Sequence, residues 1–146
     1  MTATILLIED SPTDAAILSA AFEEVDCSHT LQVISNGYEA LGFLQNLNQY
    51  IQTNIPCIIL LDLNLPGKDG YEILHEIKSN HSWRTIPTII FSSSSASSDI
   101  SKSYQLHANA YITKPIDFDE YKLVARVIHN FWLKTVQLPS DNNIPE

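Results

Sequence analysis

The chain has 146 residues, enough for one domain that buries about two-thirds of its unfolded surface, so neither a disulfide nor a structural metal is needed to fold it. Its composition is that of an ordinary globular protein, 45% hydrophobic and 17% charged, and its net charge of −9 argues against nucleic acid or an anionic membrane as a partner. The two cysteines, Cys27 and Cys57, follow no regular spacing, which makes a reducing cytoplasm the default. The apolar run 5–8 meets charge at Glu9 and is too short for a signal peptide or a membrane span.

In chain order, residues 4–8 read as a short buried strand. Ser11 and Pro12 then open a helix over 12–25, with Ala16, Ile17, Ala20, Ala21 and Val25 expected on its inner face. A second strand is predicted over 31–34. Asn36-Gly37 turns the chain into a helix over 38–47, with Ala40, Leu41, Leu44 and Leu47 inward. A polar loop over 48–56 follows. Cys57-Ile58-Ile59-Leu60-Leu61 is apolar on both faces, as in a parallel strand covered by helices on both sides, and Asp62 stands at its carboxyl end. Asp is also common as a plain strand terminator or helix cap, so Asp62 alone does not define a site.

The third helix is predicted over 70–79, with Ile73, Leu74 and Ile77 inward. The fourth strand covers 88–92, after Pro87. The serine-rich stretch 92–98 has the composition of a flexible linker, but strand and helix patterns resume on either side at normal loop length. A helix over 99–106, a strand over 110–113 and a last helix from about Asp117 to at least Phe131 complete the pattern. The polar tail 140–146 is expected to be disordered. The five histidines fall at no ligand spacing, Trp83 sits in the loop before Pro87 and Trp132 in the tail, and no internal repeat or domain boundary is visible.

Five strands alternating with five helices, joined by right-handed crossovers, imply an α/β domain with a doubly wound parallel sheet. The five-stranded form is flavodoxin-like, of order 2-1-3-4-5, and its ligand crevice opens between the first and third strands. Glu9, Asp10 and Asp62 meet there. Three clustered carboxylates must protonate or share a cation, and an all-oxygen set without nearby His or Cys favours Mg2+, for which Mn2+ can substitute. Asp10, Asp62 and the backbone carbonyl of Asn64 are the expected direct ligands, with Glu9 acting through water.

These features at this spacing resemble a response regulator receiver domain: the acidic pair Glu9-Asp10, then Asp62, then Ser92, then Lys114-Pro115, each just after its strand. The resemblance covers about 4–131. It implies that Asp62 accepts a phosphoryl group from a histidine kinase. Lys114, Ser92 and Ser93 would bind that group, and Ser92 and Tyr111 would form a switch. Asn64 and Ser93 would flank the hydrolytic water, and the bond before Pro115 would be cis. The receiver is expected over 1–133, with a C-terminal extension and tail over 134–146.

The phrases Leu60-Leu61-Asp62-Leu63-Asn64-Leu65-Pro66 and Ser103-Tyr104-Gln105-Leu106-His107, with the aromatic-rich extension, are most similar to stand-alone regulators of cyanobacterial phytochromes. A phytochrome-type kinase is then the expected donor, and a downstream protein or phosphotransfer protein the expected output. Leu123, Val127 and Phe131 fall outside the arc that one helix needs to pack on a sheet, and form a candidate homodimer or partner face unless the C-terminal segment covers them. Two further readings remain. An aspartyl-phosphate phosphatase would want a second Asp where Asn64 stands, together with a cap domain. A pseudo-receiver would not need the intact Glu9, Asp10, Asp62, Ser92 and Lys114.

Overall fold

The computed structural model describes residues 3–25, 29–46 and 55–139. Its elements are β1 (Ala3–Ile8), α1 (Pro12–Glu24), β2 (His29–Ile34), α2 (Gly37–Asn46), β3 (Ile58–Leu61), α3 (Gly70–Ser79), β4 (Thr88–Ser92), α4 (Ser97–Gln105), β5 (Ala110–Thr113) and α5 (Phe118–Val127). A π-helical segment, Ile128–Thr135, continues α5. All strand pairs are parallel and the order is β2-β1-β3-β4-β5, as the alternating pattern implies.

Alternate residues of the central strands feed two cores. Leu6, Ile8, Ile59, Leu61 and Ile90 face α2 and α3, where Ala40, Leu41, Leu44, Ile73, Leu74 and Ile77 are buried. Ile5, Leu7, Ile58, Leu60, Ile89 and Phe91 face α1 and α5. That is why β3 is apolar throughout: both of its faces are sealed.

The inner face of α1 is only partly the expected one: Ala21 is buried, and Ile17 and Val25 pack against the second core, but the centre of the face is shifted. Ala15, Leu18, Ala21 and Phe22 are buried, while Ala16 is exposed. Alanines lie all round this helix, so they do not fix its phase. Leu18 and Phe22, one turn apart, carry the area and decide which side turns in. Two boundaries also shift: β2 begins at His29 and α4 at Ser97. Trp83, in the turn after α3, is buried in the α2–α3 core. The Asn80 side chain holds its turn by accepting from the Ser82 and Trp83 N–H groups at 2.8 and 3.2 Å.

The last helix starts from Asp117, whose side chain accepts from the Glu120 N–H, and it runs past Phe131 as expected. From Ile128 its turns widen. The Val136 N–H reaches the Phe131 carbonyl at 3.0 Å, and the Thr135 hydroxyl reaches the Asn130 carbonyl at 2.5 Å. Trp132, Leu133 and Leu138 lie against the second core. The Lys114–Pro115 peptide, expected cis, is trans, the form that X–Pro bonds favour intrinsically. Leu47, the loop 48–54, Cys27 and the tail 140–146 lie outside the described residues.

Candidate functional site

The sheet register brings the acidic residues together. Ile8 is level with both Ile34 and Leu61. The ladder runs one residue further on each side: the Glu9 N–H donates to the Ile34 carbonyl and the Asp62 N–H to the Ile8 carbonyl, each at 3.0 Å. Glu9 and Asp62 are therefore fixed by backbone bonds at the carboxyl edge, and both side chains are almost fully buried. Asp10 is exposed beside them. One carboxylate oxygen from each of the three lies within 4.8 Å of the others. Two sealed carboxylates and one solvent-facing carboxylate, all oxygen donors, fit a hard divalent cation that keeps part of its water. Asn64 folds back on the same group, its N–H donating to Asp62 Oδ1 at 3.2 Å.

Lys114 closes the cluster from β5. Its side chain is 7% exposed, and Nζ lies 2.5 Å from Glu9 Oε1, 2.9 Å from Asp14 Oδ2 and 3.1 Å from Asp62 Oδ2. Burial alone would favour a neutral lysine. The hydrogen bonds to Asp14 and Glu9 and the charge on Asp62 outweigh it and hold the ammonium well above its ordinary range. Burial, reinforced by the hydrogen bond and charge of Asp62, pushes Glu9 up to about 7 despite the neighbouring ammonium.

Ser92 is fully buried at the end of β4. Its Oγ accepts from the Ser94 N–H at 3.3 Å, and its carbonyl accepts from the Lys114 N–H at 2.7 Å, which ties the ends of β4 and β5 together. Ser93 is exposed. Tyr111 is half-buried, and its hydroxyl donates to the Ser94 carbonyl at 2.7 Å. Ser94 donates through Oγ to Asp99 on α4 at 2.6 Å, and the hydroxyl of Tyr71 on α3 donates to the same carboxylate. These bonds, that from Ser94 first, hold the Asp99 carboxyl below its usual range, while burial and then Asp99 itself raise Tyr71.

Sequence reasoning missed Asp14, Tyr71 and Asp99. Asp14 stands one helical turn beyond Asp10, a spacing that could have placed it on the same edge; an acid in a first helical turn reads instead as dipole compensation. Tyr71 and Asp99 meet only in the folded chain. The site stands at the carboxyl edge of the sheet. The roomy groove of about 690 Å3 lies between α2 and α3, lined by Tyr38, Lys68, Glu76 and Trp83 among others, away from the carboxylates. Leu123, Val127 and Phe131 remain largely exposed on α5 and its continuation, so the described part of the C-terminal segment, to Pro139, does not cover them. No helix among the described residues is long and apolar enough to cross a membrane.

The response regulator receiver domain model matches residues 5–127. Response regulator Rcp1 of Synechocystis sp. is 39% identical over 136 residues, covering 93% of this chain and 92% of that protein. The Mn(2+)-bound form of Rcp1 superposes with a TM-score of 0.84 at 38% identity, covering 94% of this chain and 99% of the other. The phosphorylated cyanobacterial phytochrome response regulator RcpA does so at 0.87 and 38% identity, covering 96% and 100%. The shared strand order and a match over most of its length agree: the chain belongs to the response regulator receiver domain family.

Proposed function

We propose that the chain is the phosphoacceptor switch of a two-component system, in which Asp62 takes a phosphoryl group from the phosphohistidine of a phytochrome-type histidine kinase. The observation that carries this is Asp62 itself: a buried carboxylate at the end of the central strand, 3.1 Å from a buried ammonium and clustered with two more acids. The donor type rests on similarity to Rcp1 and to RcpA, the latter described as a phosphorylated phytochrome response regulator.

In the transfer, an Asp62 oxygen forms the new P–O bond as the phosphohistidine P–N bond breaks, and the imidazole keeps the electron pair and takes a proton. Asp10, Asp62 and the Asn64 carbonyl, with Glu9 acting through water, would hold Mg2+ or Mn2+, which would supply the positive charge that an anionic donor needs to approach. Lys114 adds a fixed charge toward the phosphoryl oxygens. Ser92 offers its hydroxyl to one of them, and Ser93 lines the same approach. Asn64 and Ser93 flank the path of the hydrolytic water and set the lifetime of the acyl phosphate. The phosphoryl group adds about −1.5 to −2 charges at neutral pH. Ser92 moves toward it, and Tyr111 transmits that movement to the surface of α4, β5 and α5.

On this reading the protein is not an enzyme in the ordinary sense: it catalyses its own phosphorylation and slow dephosphorylation in the cytoplasm. Residues 1–133 form the receiver and 134–146 an extension. The face of Leu123, Val127 and Phe131 meets a second copy, a downstream protein or a phosphotransfer protein. Intact-protein mass after incubation with acetyl phosphate tests the core of the proposal. One phosphoryl group that requires both Mg2+ and Asp62, and is absent from D62N, is the expected result. No adduct on the wild type would make the chain a pseudo-receiver.

A further inference from the structure

The Lys114 ammonium, with three N–H donors, is surrounded by three carboxylates: it is hydrogen-bonded to Asp14 and Asp62 and ion-paired with Glu9. The three partners are not equivalent. The side chains of Glu9 and Asp62 are 1% and 6% exposed, so neither regains water if it lets go of the ammonium. Asp14 is 33% exposed, in the first turn of α1, and solvent can replace the ammonium at its carboxylate. Its side chain has no part in the helix cap, where Ser11 Oγ accepts from the Asp14 backbone N–H.

We propose that Asp14 is a positioning residue that holds Lys114 in the resting site and must release it before the ammonium can serve a phosphoryl group on Asp62. The inference rests on Asp62 as phosphoacceptor. A phosphoryl oxygen needs a place beside the ammonium, which three carboxylates surround at rest. Glu9 stays because burial holds it in place. Asp62 stays because it carries the group. Asp14 is the partner whose departure costs least, since it moves into water. Until it leaves, its negative charge also lies beside the path of an anionic phosphodonor.

The test uses the whole chain as wild type, D14N and D14E, with acetyl phosphate and Mg2+. Asp62 forms the P–O bond as the bond from phosphorus to the acetate oxygen breaks and acetate leaves. D14N keeps the shape and removes the charge. It is expected to accept the phosphoryl group about fivefold faster than wild type, the effect of deleting one solvent-screened like charge that shares the Lys114 ammonium with Asp62. D14E restores the charge and returns the rate toward wild type. The 15N resonance of Lys114 Nζ, read without any phosphodonor, is expected to shift in D14N and to move back in D14E.

A D14N protein whose rate and Nζ resonance both match wild type overturns the inference, and so does one that is phosphorylated more slowly. In both cases the wild-type adduct on Asp62 still stands. Absence of that adduct overturns the phosphoacceptor reading itself and this inference with it, an outcome told apart by the wild-type mass alone.

Discussion

The hydroxyl of Tyr111 on β5 donates to the backbone carbonyl of Ser94 at 2.7 Å, two residues beyond the end of β4. Ser94 is at the same time bonded to Asp99 through Oγ, and that Oγ also accepts from the Ala96 N–H at 3.2 Å. One tyrosine thus holds the turn that leads from Ser92 into α4. Tyr111→Phe keeps the ring and removes the tether. It should cost about 1 kcal/mol in urea unfolding and speed amide exchange at 94–96. Unchanged exchange there would mean that the turn holds without Tyr111.

Glu9 gives the metal-free protein a defined pH dependence. Its folded value of about 7 lies above its ordinary 4.5, so folding takes up a proton in that window. The associated stability is complete below pH 4.5 and is lost as pH rises through 7. Glu9→Gln fixes the neutral form. In EDTA, the variant should lose less stability than wild type between pH 5 and pH 8, by roughly 1–2 kcal/mol. Mg2+ should raise the Tm of wild type more than that of the variant at pH 8. Parallel stability curves for the two proteins would contradict the assignment.

Gly70 opens α3 directly under the site strand. A Cβ there would lie 2.4 Å from the Asp62 carbonyl oxygen and 2.4 Å from the Leu63 Cα, both backbone atoms that have no room to yield. Gly70→Ala should destabilise by about 3 kcal/mol, at the upper end for overpacking, and weaken Mg2+ binding because the backbone at Asp62 must shift. Calorimetry with and without Mg2+ reads both effects.

His107 caps α4 with a φ of 72°, in the left-handed region that glycine adopts freely, and its N–H donates to the Tyr104 carbonyl at 2.9 Å. The side chain is exposed. His107→Gly should stabilise by about 0.5–1 kcal/mol, seen as a higher urea midpoint.

Val127 is 59% exposed in the row from Leu123 to Phe131. Val127→Glu should leave the urea midpoint nearly unchanged. If the row joins two copies, light scattering will find a dimer for wild type and a monomer for the variant. A wild-type monomer with and without a phosphoryl analogue would leave the row to another partner.

The sheet and the site were legible because their signals are local. An apolar run sealed on both faces, ended by an acid, marks a strand edge, and the alternation of elements then fixes which edges meet. Ile73, Leu74 and Ile77 could be phased because only one side of α3 is apolar. The phase of α1 could not, with alanine on every side and only Leu18 and Phe22 to choose between them. The widening of the last helix left no trace because a period of 3.6 was assumed throughout. The Asp99 bond to Tyr71, and the third partner of Lys114, come from side chains far apart in the chain, and no spacing rule reaches them.

The close approach at Gly70 has a mechanical consequence. The Gly70 N–H is bonded to the Leu63 carbonyl at 2.9 Å, and bare backbone meets bare backbone, so β3 and α3 form a stiff wall on one side of Asp62. On the other side, β4 runs into a turn of serines without bulky side chains, held by a few hydrogen bonds. Compliance around the site is therefore one-sided. Under the proposed function, a group added at Asp62 would meet less resistance on the side of α4 than on the side of α3.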